Sequence, residues 1–349
     1  MLRCVTFWLA MAVCVPAAER LFNFGGTKEG ESPAGFRSLV SGSGELGVWR
    51  VVSDEAPSTM PGASSNGLTL SRQSVLAQLS RDKTDERFPL LVFEEEVYGD
   101  FTFTARVKTV SGDAERMAGL AFRVQDEKNY YVVRISSLGN NIRFYKFVNG
   151  MRSDPIGPEV AVPSGVWHEI SVECQGSRIN IKLNGVAVMP TLNDSSFSKG
   201  KVGFWTKSDS VSHFAHARIQ FTPLERLVDR VMRETLTRYS KLRGLRLYAV
   251  PPGKTQPEIV ASSQPAEVGT AGGAQEKDCL ENGTSFVGKS REATTVMMPV
   301  RDRNGDVVAA LKVTMDTFLG QTEQNALNRA RPVVKYLEGK VVRANEPLL

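Results

Sequence analysis

The residues with the most suggestive chemistry are arginine and tyrosine side chains that alternate with apolar residues in short segments. They are Arg123, Tyr130, Arg134 and Tyr145. Aromatic rings stack on the C–H surfaces of sugars, and a guanidinium donates paired hydrogen bonds to hydroxyl groups. Grouped on one surface, such side chains would bind a carbohydrate or a sugar-derived small molecule. A later segment would supply the rim of this surface through Trp205, Lys207 and Asp209.

A common face for these residues follows from strand alternation, in which neighbouring side chains point to opposite sides of a sheet. The even-numbered residues of 120–124 are apolar and are expected to face a core, so Arg123 points to the opposite face. The same alternation sends Tyr130 and Arg134 outward. The alternative is that these side chains are ordinary cross-strand pairs on a solvated sheet face.

Catalysis would need more than a binding face. Hydrolysis of an ordinary glycoside uses two carboxylates at a set separation, and no acidic run of that kind stands out. Cleavage of a sugar that carries a ketone could instead proceed by abstraction of the proton on the neighbouring carbon, which needs one base and one electrophile. The candidate bases are Asp126, His168 and Asp209, and the candidate electrophiles are Arg123 and Lys146. The sequence does not select among them, so the catalytic residues stay unassigned.

Neither a metal nor a cofactor is expected. His213 and His216 are three residues apart in a predicted strand, so they are expected to point to opposite faces. The few histidines and cysteines are too dispersed to form a metal cluster. Cys174 and Cys279 would form a disulfide if they meet in an exported protein, and the alternative is that Cys174 is a small buried thiol.

The segments that carry these residues are typical of short antiparallel strands. Residues 101–108 alternate apolar and polar side chains, and Asn184-Gly185 is a two-residue hairpin signal. Many such strands at regular spacing favour a sandwich over a parallel sheet. We therefore predict an all-β sandwich over residues 20–222.

Five runs in this region also resemble a known family. They are Gly119–Arg123, Asn129–Arg134, Arg143–Lys146, Gly165–Ile170 and Gly203–Val211. Over about residues 40–222 the chain is similar to the concanavalin/laminin-G-like jelly roll, in the branch that includes 3-keto-disaccharide hydrolases. The resemblance implies a jelly-roll fold and glycoside binding through its open face. It implies, as an alternative, cleavage of a 3-keto glycoside on the same face. One departure is at Ala215 and His216, where relatives tend to carry an acidic or amide pair.

After residue 222 the pattern changes to a smaller α+β domain, which we predict over residues 223–343 with a tail at 344–349. Thr222-Pro223-Leu224-Glu225 is typical of a helix start, and Gly244 is typical of a helix end. Strands, a hairpin at Asn304-Gly305 and a last helix follow.

Part of this second segment resembles the Cache/PAS-like extracytoplasmic sensor fold. Residues 259–269 and 298–311 carry the resemblance. It implies a third hypothesis, in which the protein senses a small ligand or supports assembly through this domain.

The first 18 residues are typical of a signal peptide, with Arg3, an apolar stretch and small residues at Val15-Pro16-Ala17-Ala18. The apolar stretch is too short for a membrane anchor, so we predict an exported protein, periplasmic or extracellular. Residues 19–222 carry 23 basic and 23 acidic side chains. A neutral domain lacks the clustered positive charge that nucleic acid requires. The sequence does not indicate the oligomeric state.

Overall fold

The computed structural model describes residues 18–58, 70–251 and 253–343. The chain divides into two compact units, Met1–Leu224 and Glu225–Leu349. The predicted signal peptide lies outside the described residues except for Ala18, and the predicted tail lies outside them as well. In the part of the chain that is described, helices long and apolar enough to cross a membrane are absent.

The first unit is built almost entirely of strands. In chain order they are β1 (Ala18–Phe22), β2 (Phe36–Gly42), β3 (Trp49–Pro57), β4 (Leu70–Gln78), β5 (Arg87–Phe93), β6 (Phe101–Ser111), β7 (Met117–Asp126), β8 (Asn129–Ser136), β9 (Asn141–Val148), β10 (Met151–Arg152), β11 (His168–Gln175), β12 (Arg178–Leu183), β13 (Val186–Ala187), β14 (Leu192–Asn193), β15 (Lys201–Trp205) and β16 (Val211–Phe221). A 3₁₀ turn, Phe24–Gly26, follows β1.

Two antiparallel sheets result. The nine-stranded sheet has the order β13-β12-β11-β6-β16-β4-β3, with β1 added beside β16 and β14 beside β12. The seven-stranded sheet has the order β10-β9-β8-β7-β15-β5-β2. Phe103 and Phe214 of the first sheet pack against Phe204 of the second, with ring centroids 6.2 and 5.0 Å apart. The inward side chains of both sheets thus form one core, which confirms the predicted β-sandwich.

The seven-stranded sheet is strongly curled toward its outer side. Phe88 on β5 and Phe147 on β9 are four strand spacings apart, roughly 19 Å in a flat sheet. Their ring centroids nevertheless lie 5.1 Å apart on the outer surface. We call this surface the concave face and define it by Phe88, Tyr130, Arg134, Tyr145, Phe147 and Trp205.

The second unit is an α+β domain. Its elements are α1 (Leu227–Arg238), β17 (Leu242–Ala249), β18 (Glu258–Ser262), a 3₁₀ turn (Pro265–Glu267), α2 (Ala274–Asn282), β19 (Phe286–Lys289), β20 (Ala293–Arg301), β21 (Val307–Asp316) and α3 (Glu323–Arg343). The antiparallel sheet has the order β18-β17-β21-β20-β19. Leu247, Leu311 and Val334 belong to its core.

The predicted first helix of this unit is too long at both ends. It begins at Leu227 rather than at Thr222, and it ends at Arg238 rather than near Gly244. Leu242 already pairs with Met315 in the sheet. Residues from Leu242 onward therefore belong to strand β17, although the helical pattern of the sequence extends to them. Helix α2 is not apparent in the sequence pattern.

Candidate functional site

The concave face brings together four residues that the sequence singled out. Tyr130 and Arg134 lie on β8 and Tyr145 on β9, on the outward face that the alternation predicts. Trp205 on β15, expected at the rim, instead lies within the same face. Trp205 stacks on Phe88 with ring centroids 5.6 Å apart. Tyr130 stacks on Phe147 of the neighbouring strand at 4.4 Å. The aromatic and guanidinium groups therefore form one continuous surface.

These side chains are buried, which contradicts both the expected open face and the alternative of a solvated sheet face. The exposed fractions of Tyr130, Arg134, Tyr145 and Trp205 are 0, 5, 8 and 2%. The curling of the sheet presses the rings against each other, so they bury one another without a second layer of strands. The concave face is a small aromatic cluster with polar groups set into it.

Three polar atoms within this cluster have no hydrogen-bond partner in the described chain. They are Tyr130 Oη, Trp205 Nε1 and Ser41 Oγ. Ser41 lies on the same face because it pairs with Phe88 across β2 and β5. Burial raises the pKa of the Tyr130 hydroxyl, and nearby Ser41 and Trp205 oppose that effect without making hydrogen bonds of normal geometry. A buried polar atom without a hydrogen-bond partner lowers the stability of the fold. A ligand hydroxyl that reached these three atoms would supply the missing hydrogen bonds.

Arg134 is a buried cation without a carboxylate partner among the described residues. Its guanidinium donates to Tyr145 Oη at 2.9 Å and to Asn141 Oδ1, both uncharged acceptors. Burial lowers the pKa of Arg134, and Tyr145 opposes the effect. A guanidinium stays protonated in proteins, so the face carries a positive charge that is not ion-paired with any described carboxylate.

Four charged residues border the concave face, and we call them the charged rim: Glu86, Glu115, Arg152 and Lys207. Lys207 Nζ lies 3.0 Å from Glu115 Oε1 and 3.6 Å from Glu86 Oε1. Arg152 donates to Glu86 at 3.1 Å and lies over the ring of Phe88. Burial opposes the charged form of Lys207, but hydrogen bonds to carboxylates outweigh it and raise its pKa. Lys207 is therefore at the rim, as expected, and is cationic.

Arg123 is not part of this face. Its φ of +48° breaks the alternation, and the register of β7 against β8 shifts at this point. Val124, expected in the core, instead packs on the concave side. The Arg123 guanidinium donates to the main-chain oxygens of Phe197, Gly99 and Gly176 at 2.9, 3.2 and 2.7 Å. The predicted outward direction is wrong because a bulge reverses the parity of the strand.

Asp209 supports the loop before β7 rather than the concave face. Its carboxylate accepts hydrogen bonds from the backbone N–H groups of Asp113, Ala114 and Glu115 at 2.7, 3.1 and 2.9 Å. Burial would raise the pKa of Asp209, but these donors outweigh it and lower the pKa. The carboxylate thereby fixes Glu115, which sequence reasoning missed, at the rim.

The other candidate acid–base residues are also occupied elsewhere. Asp126 accepts from the Asn129 side chain in the turn between β7 and β8. His168 is 5% exposed and pairs with a core strand. Lys146 binds Asp194 at 2.6 Å. None of these three belongs to the concave face.

The two neighbouring histidines share a face, contrary to the expectation. Between residues 215 and 218 the strand β16 contains one more residue than its partner β6, and His216 has a φ of +51°. This bulge turns both rings to the outer side of the nine-stranded sheet. His213 Nδ1 lies 2.6 Å from Asp54 Oδ2, and His216 Nε2 lies 3.1 Å from Gln73 Oε1. Within the described ranges, groups of three or more residues suited to holding a metal ion are absent.

Both cysteines are free and buried. Cys174 points into the sandwich core, and burial raises its pKa to about 12. Burial likewise raises the pKa of Cys279 in α2 to about 11. The disulfide considered from the sequence is not formed, and both thiols are unreactive at neutral pH.

Comparison with known proteins points to carbohydrate chemistry. Residues 19–220 match a family model described as the 3-keto-alpha-glucoside-1,2-lyase-like domain. A levanase of Bacillus subtilis (strain 168) is 28% identical over 105 residues, which are 30% of this chain and 15% of the levanase. The chain thus spans only a small part of that relative.

Solved structures with a similar arrangement include carbohydrate proteins. Carbohydrate binding module CBM66 from Bacillus subtilis is 20% identical, with a TM-score of 0.38 over 49% of this chain and 94% of that one. A Bacillus licheniformis beta-glucanase is 10% identical, with a TM-score of 0.32 over 54% of this chain and 98% of that one.

Proposed function

The chain belongs to the 3-keto-alpha-glucoside-1,2-lyase-like domain family, and from that premise we propose that it binds a glycoside through the concave face of its first unit. The observation that carries the proposal is the guanidinium of Arg134, which makes no ion pair with the described residues, beside three buried polar atoms that have no hydrogen-bond partner among them. A sugar ring supplies hydroxyl groups that both donate and accept, which suits such a mixture.

The charged rim supports the same proposal. Arg152 and Lys207 border the face that contains Tyr130 and Trp205, and they form ion pairs with Glu86 and Glu115. These groups offer charge-assisted hydrogen bonds to hydroxyls at the entrance. The aromatic rings below offer C–H stacking once the Arg152 side chain moves aside.

Tyr130→Phe tests the site most directly. The substitution removes one unpartnered hydroxyl and leaves the stacked ring, so it should raise the free energy of unfolding slightly and weaken glycoside binding at least fivefold. Isothermal titration with methyl glucosides and urea unfolding measure the two effects.

Tyr131→Phe is the matched control on the adjacent residue. Tyr131 points into the core and donates to Asp194, so its loss should lower stability and leave glycoside binding unchanged. Equal glycoside affinity for the Tyr130 variant and the native protein would rule out the concave face as the site.

Cleavage of a 3-keto glycoside on the same face is the second candidate function. The family description and the contact between Lys207 and Glu115 favour it. A cationic lysine polarises the ketone, and an adjacent carboxylate takes the proton from the neighbouring carbon. A carbon–carbon double bond then forms as the glycosidic C–O bond breaks, and the protonated carboxyl group returns its proton to the leaving oxygen. Release of aglycone from a 3-keto glucoside, but not from the parent glucoside, would establish the enzyme. Glu115→Gln should abolish that release while binding persists.

A third candidate assigns the function to the second unit. We keep the Cache/PAS-like fold and a sensor or assembly role as a proposal, supported by a cavity of about 600 Å³ beside α1. Met232, Leu236 and Val268 contribute to its lining. Binding of a small metabolite that Met232→Trp abolishes, with no affinity for glycosides in the native protein, would favour this candidate over the first two.

Export to the periplasm or the exterior is likewise proposed, on the sequence of residues 1–18 alone. Cell fractionation with mass measurement of the mature chain tests it, and a full-length cytoplasmic product would contradict it.

A further inference from the structure

A second polar cavity lies on the opposite side of the sandwich from the concave face. It has a volume of about 410 Å³, within the usual range for small-ligand sites. The bulge of β16, strand β4 and the segment after β1 form its walls. The polar side chains that line it are Asn23, Gln73, Ser74, His216 and Arg218, and the apolar ones include Phe22 and Phe24.

The bulge fixes which nitrogen of His216 can accept a hydrogen bond. Gln73 Nε2 donates to the carbonyl oxygens of Ala56 and Pro57 at 3.0 and 3.1 Å, so its Oε1 faces His216. An amide oxygen only accepts, hence His216 Nε2 carries a hydrogen and Nδ1 has the lone pair. Burial, with Arg106 and Arg218 nearby, lowers the pKa of His216 and keeps the ring neutral. Nδ1 is therefore the ring nitrogen that can accept a hydrogen bond.

Arg218 gives the cavity its charge. Its guanidinium makes neither an ion pair nor a hydrogen bond with the described residues, and none of the described residues lining the cavity is acidic. A planar guanidinium binds a carboxylate through two parallel hydrogen bonds. The left-handed backbone of His216 is costly for a residue with a side chain, and such strain is often retained at ligand sites.

We propose that this cavity is a binding site for a hydroxy acid, whose carboxylate pairs with Arg218 and whose hydroxyl donates to His216 Nδ1. Phe22 and Phe24 contact the carbon skeleton of the ligand. Two sources supply this chemistry, a sugar acid such as glucuronate and a short 2-hydroxy acid such as lactate. The site is separate from the concave face and does not depend on the function proposed for it.

Ligand-observed NMR with the full chain tests the proposal, using glucuronate, lactate, acetate and glucose. Glucuronate or lactate should bind saturably in the millimolar range or better, whereas acetate lacks the hydroxyl, glucose lacks the carboxylate, and both should bind at least tenfold more weakly. Tighter binding of glucuronate would identify the ligand as a sugar acid, and tighter binding of lactate would identify it as a short hydroxy acid.

Two variants separate binding from folding. Arg218→Gln should lower the affinity of the protein for the acid at least tenfold. His216→Gln should also weaken binding of the acid, because a glutamine amide nitrogen takes the place of the ring Nε2 and still donates to Gln73, whereas the acceptor at the Nδ1 position is lost. Arg178→Gln, at an exposed arginine of β12, is the control and should leave the affinity unchanged.

Three outcomes would overturn the proposal: no saturable binding of either acid, glucose binding as tight as glucuronate, or unchanged affinity in Arg218→Gln. Tyr130→Phe should leave acid binding intact. Failure at the concave face therefore shows up separately from failure at this cavity.

Discussion

At the scale of single residues, two arginines with the same sequence signature have opposite roles. Arg123 donates to three main-chain carbonyl oxygens through its two terminal nitrogens, and its charge serves to join three segments of the sandwich. Its Nε has no partner among the described residues. Arg134 meets only uncharged side-chain acceptors and keeps its charge available. Function is therefore better inferred from what a buried polar group lacks than from its residue type.

Replacing Arg123 tests the structural role. In Arg123→Met the carbonyl oxygens lose a buried donor, and the free energy of unfolding should fall by about 3 kcal/mol, since each unsatisfied group costs roughly 1–3 kcal/mol. Urea unfolding measures the loss. Arg178→Met, at an exposed site, should change stability little, and a similarly small loss for Arg123→Met would contradict the assignment.

Asp82 gives a prediction for pH. Hydrogen bonds from the Thr84 side chain, and then from the backbone of Thr84 and Glu45, lower its pKa to about 2. Because the pKa in the folded state is below the unfolded value of about 3.9, the stabilisation is present above pH 4 and is lost as the pH falls through 2. The urea midpoint of Asp82→Asn should therefore lie below that of the native protein at pH 6 and approach it near pH 2. Asp154→Asn, at an exposed side chain, is the control, and its urea midpoint should match that of the native protein at both pH values.

At the scale of elements, the strands could be predicted but their bulges could not. Alternation located Tyr130, Arg134 and Tyr145 on one face, because each lies in a regular strand. Trp205, expected at the rim, lies within that face. Alternation failed at Arg123 and at the histidine pair, because Arg123 and His216 each have a positive φ. One such residue shifts the alternation, so the side chains after it point to the opposite face from the one expected.

The residues of the concave face and its charged rim that the sequence did not predict were missed for a different reason. Phe88, Glu115 and Arg152 carry no local signal, since they reach the concave face only through the curling of the sheet. That curvature depends on contacts between strands far apart in the chain. A sequence pattern read within single strands does not contain it.

The bulge in β16 can be tested by comparing two substitutions at one position. His216→Gly and His216→Ala both remove the imidazole, but only glycine adopts a φ of +51° without steric cost. The glycine variant should be more stable than the alanine variant by about 1 kcal/mol. Urea unfolding measures the difference. The opposite order, which a regular strand would give, would contradict the bulge.

At the scale of the whole molecule, each unit has a core of its own. Phe204 belongs to the sandwich core and Leu311 to the core of the second unit, and the two clusters share no residue. The functional hypotheses divide along the same line, with the sugar and hydroxy-acid sites in the first unit and the sensor hypothesis in the second.

Calorimetry can test the independence of the two cores. Leu311→Ala should cost about 3 kcal/mol in the second unit, as buried leucine truncations usually do. The native protein should unfold in two transitions, of which Leu311→Ala lowers one midpoint and Phe204→Ala lowers the other. A single transition shifted by both variants would show that the cores are coupled.

The pairing of β1 with β16 also has a consequence for how the protein is made. Phe22 lies opposite Ala217, so the first strand of the sandwich finds its partner only when the last one has been synthesised. Until then the ribosome-bound chain exposes an incomplete sheet edge, which is a site for aggregation or chaperone binding. The same adjacency brings the two ends of the sandwich together, so a circularly permuted chain that joins them by a short linker should retain the fold.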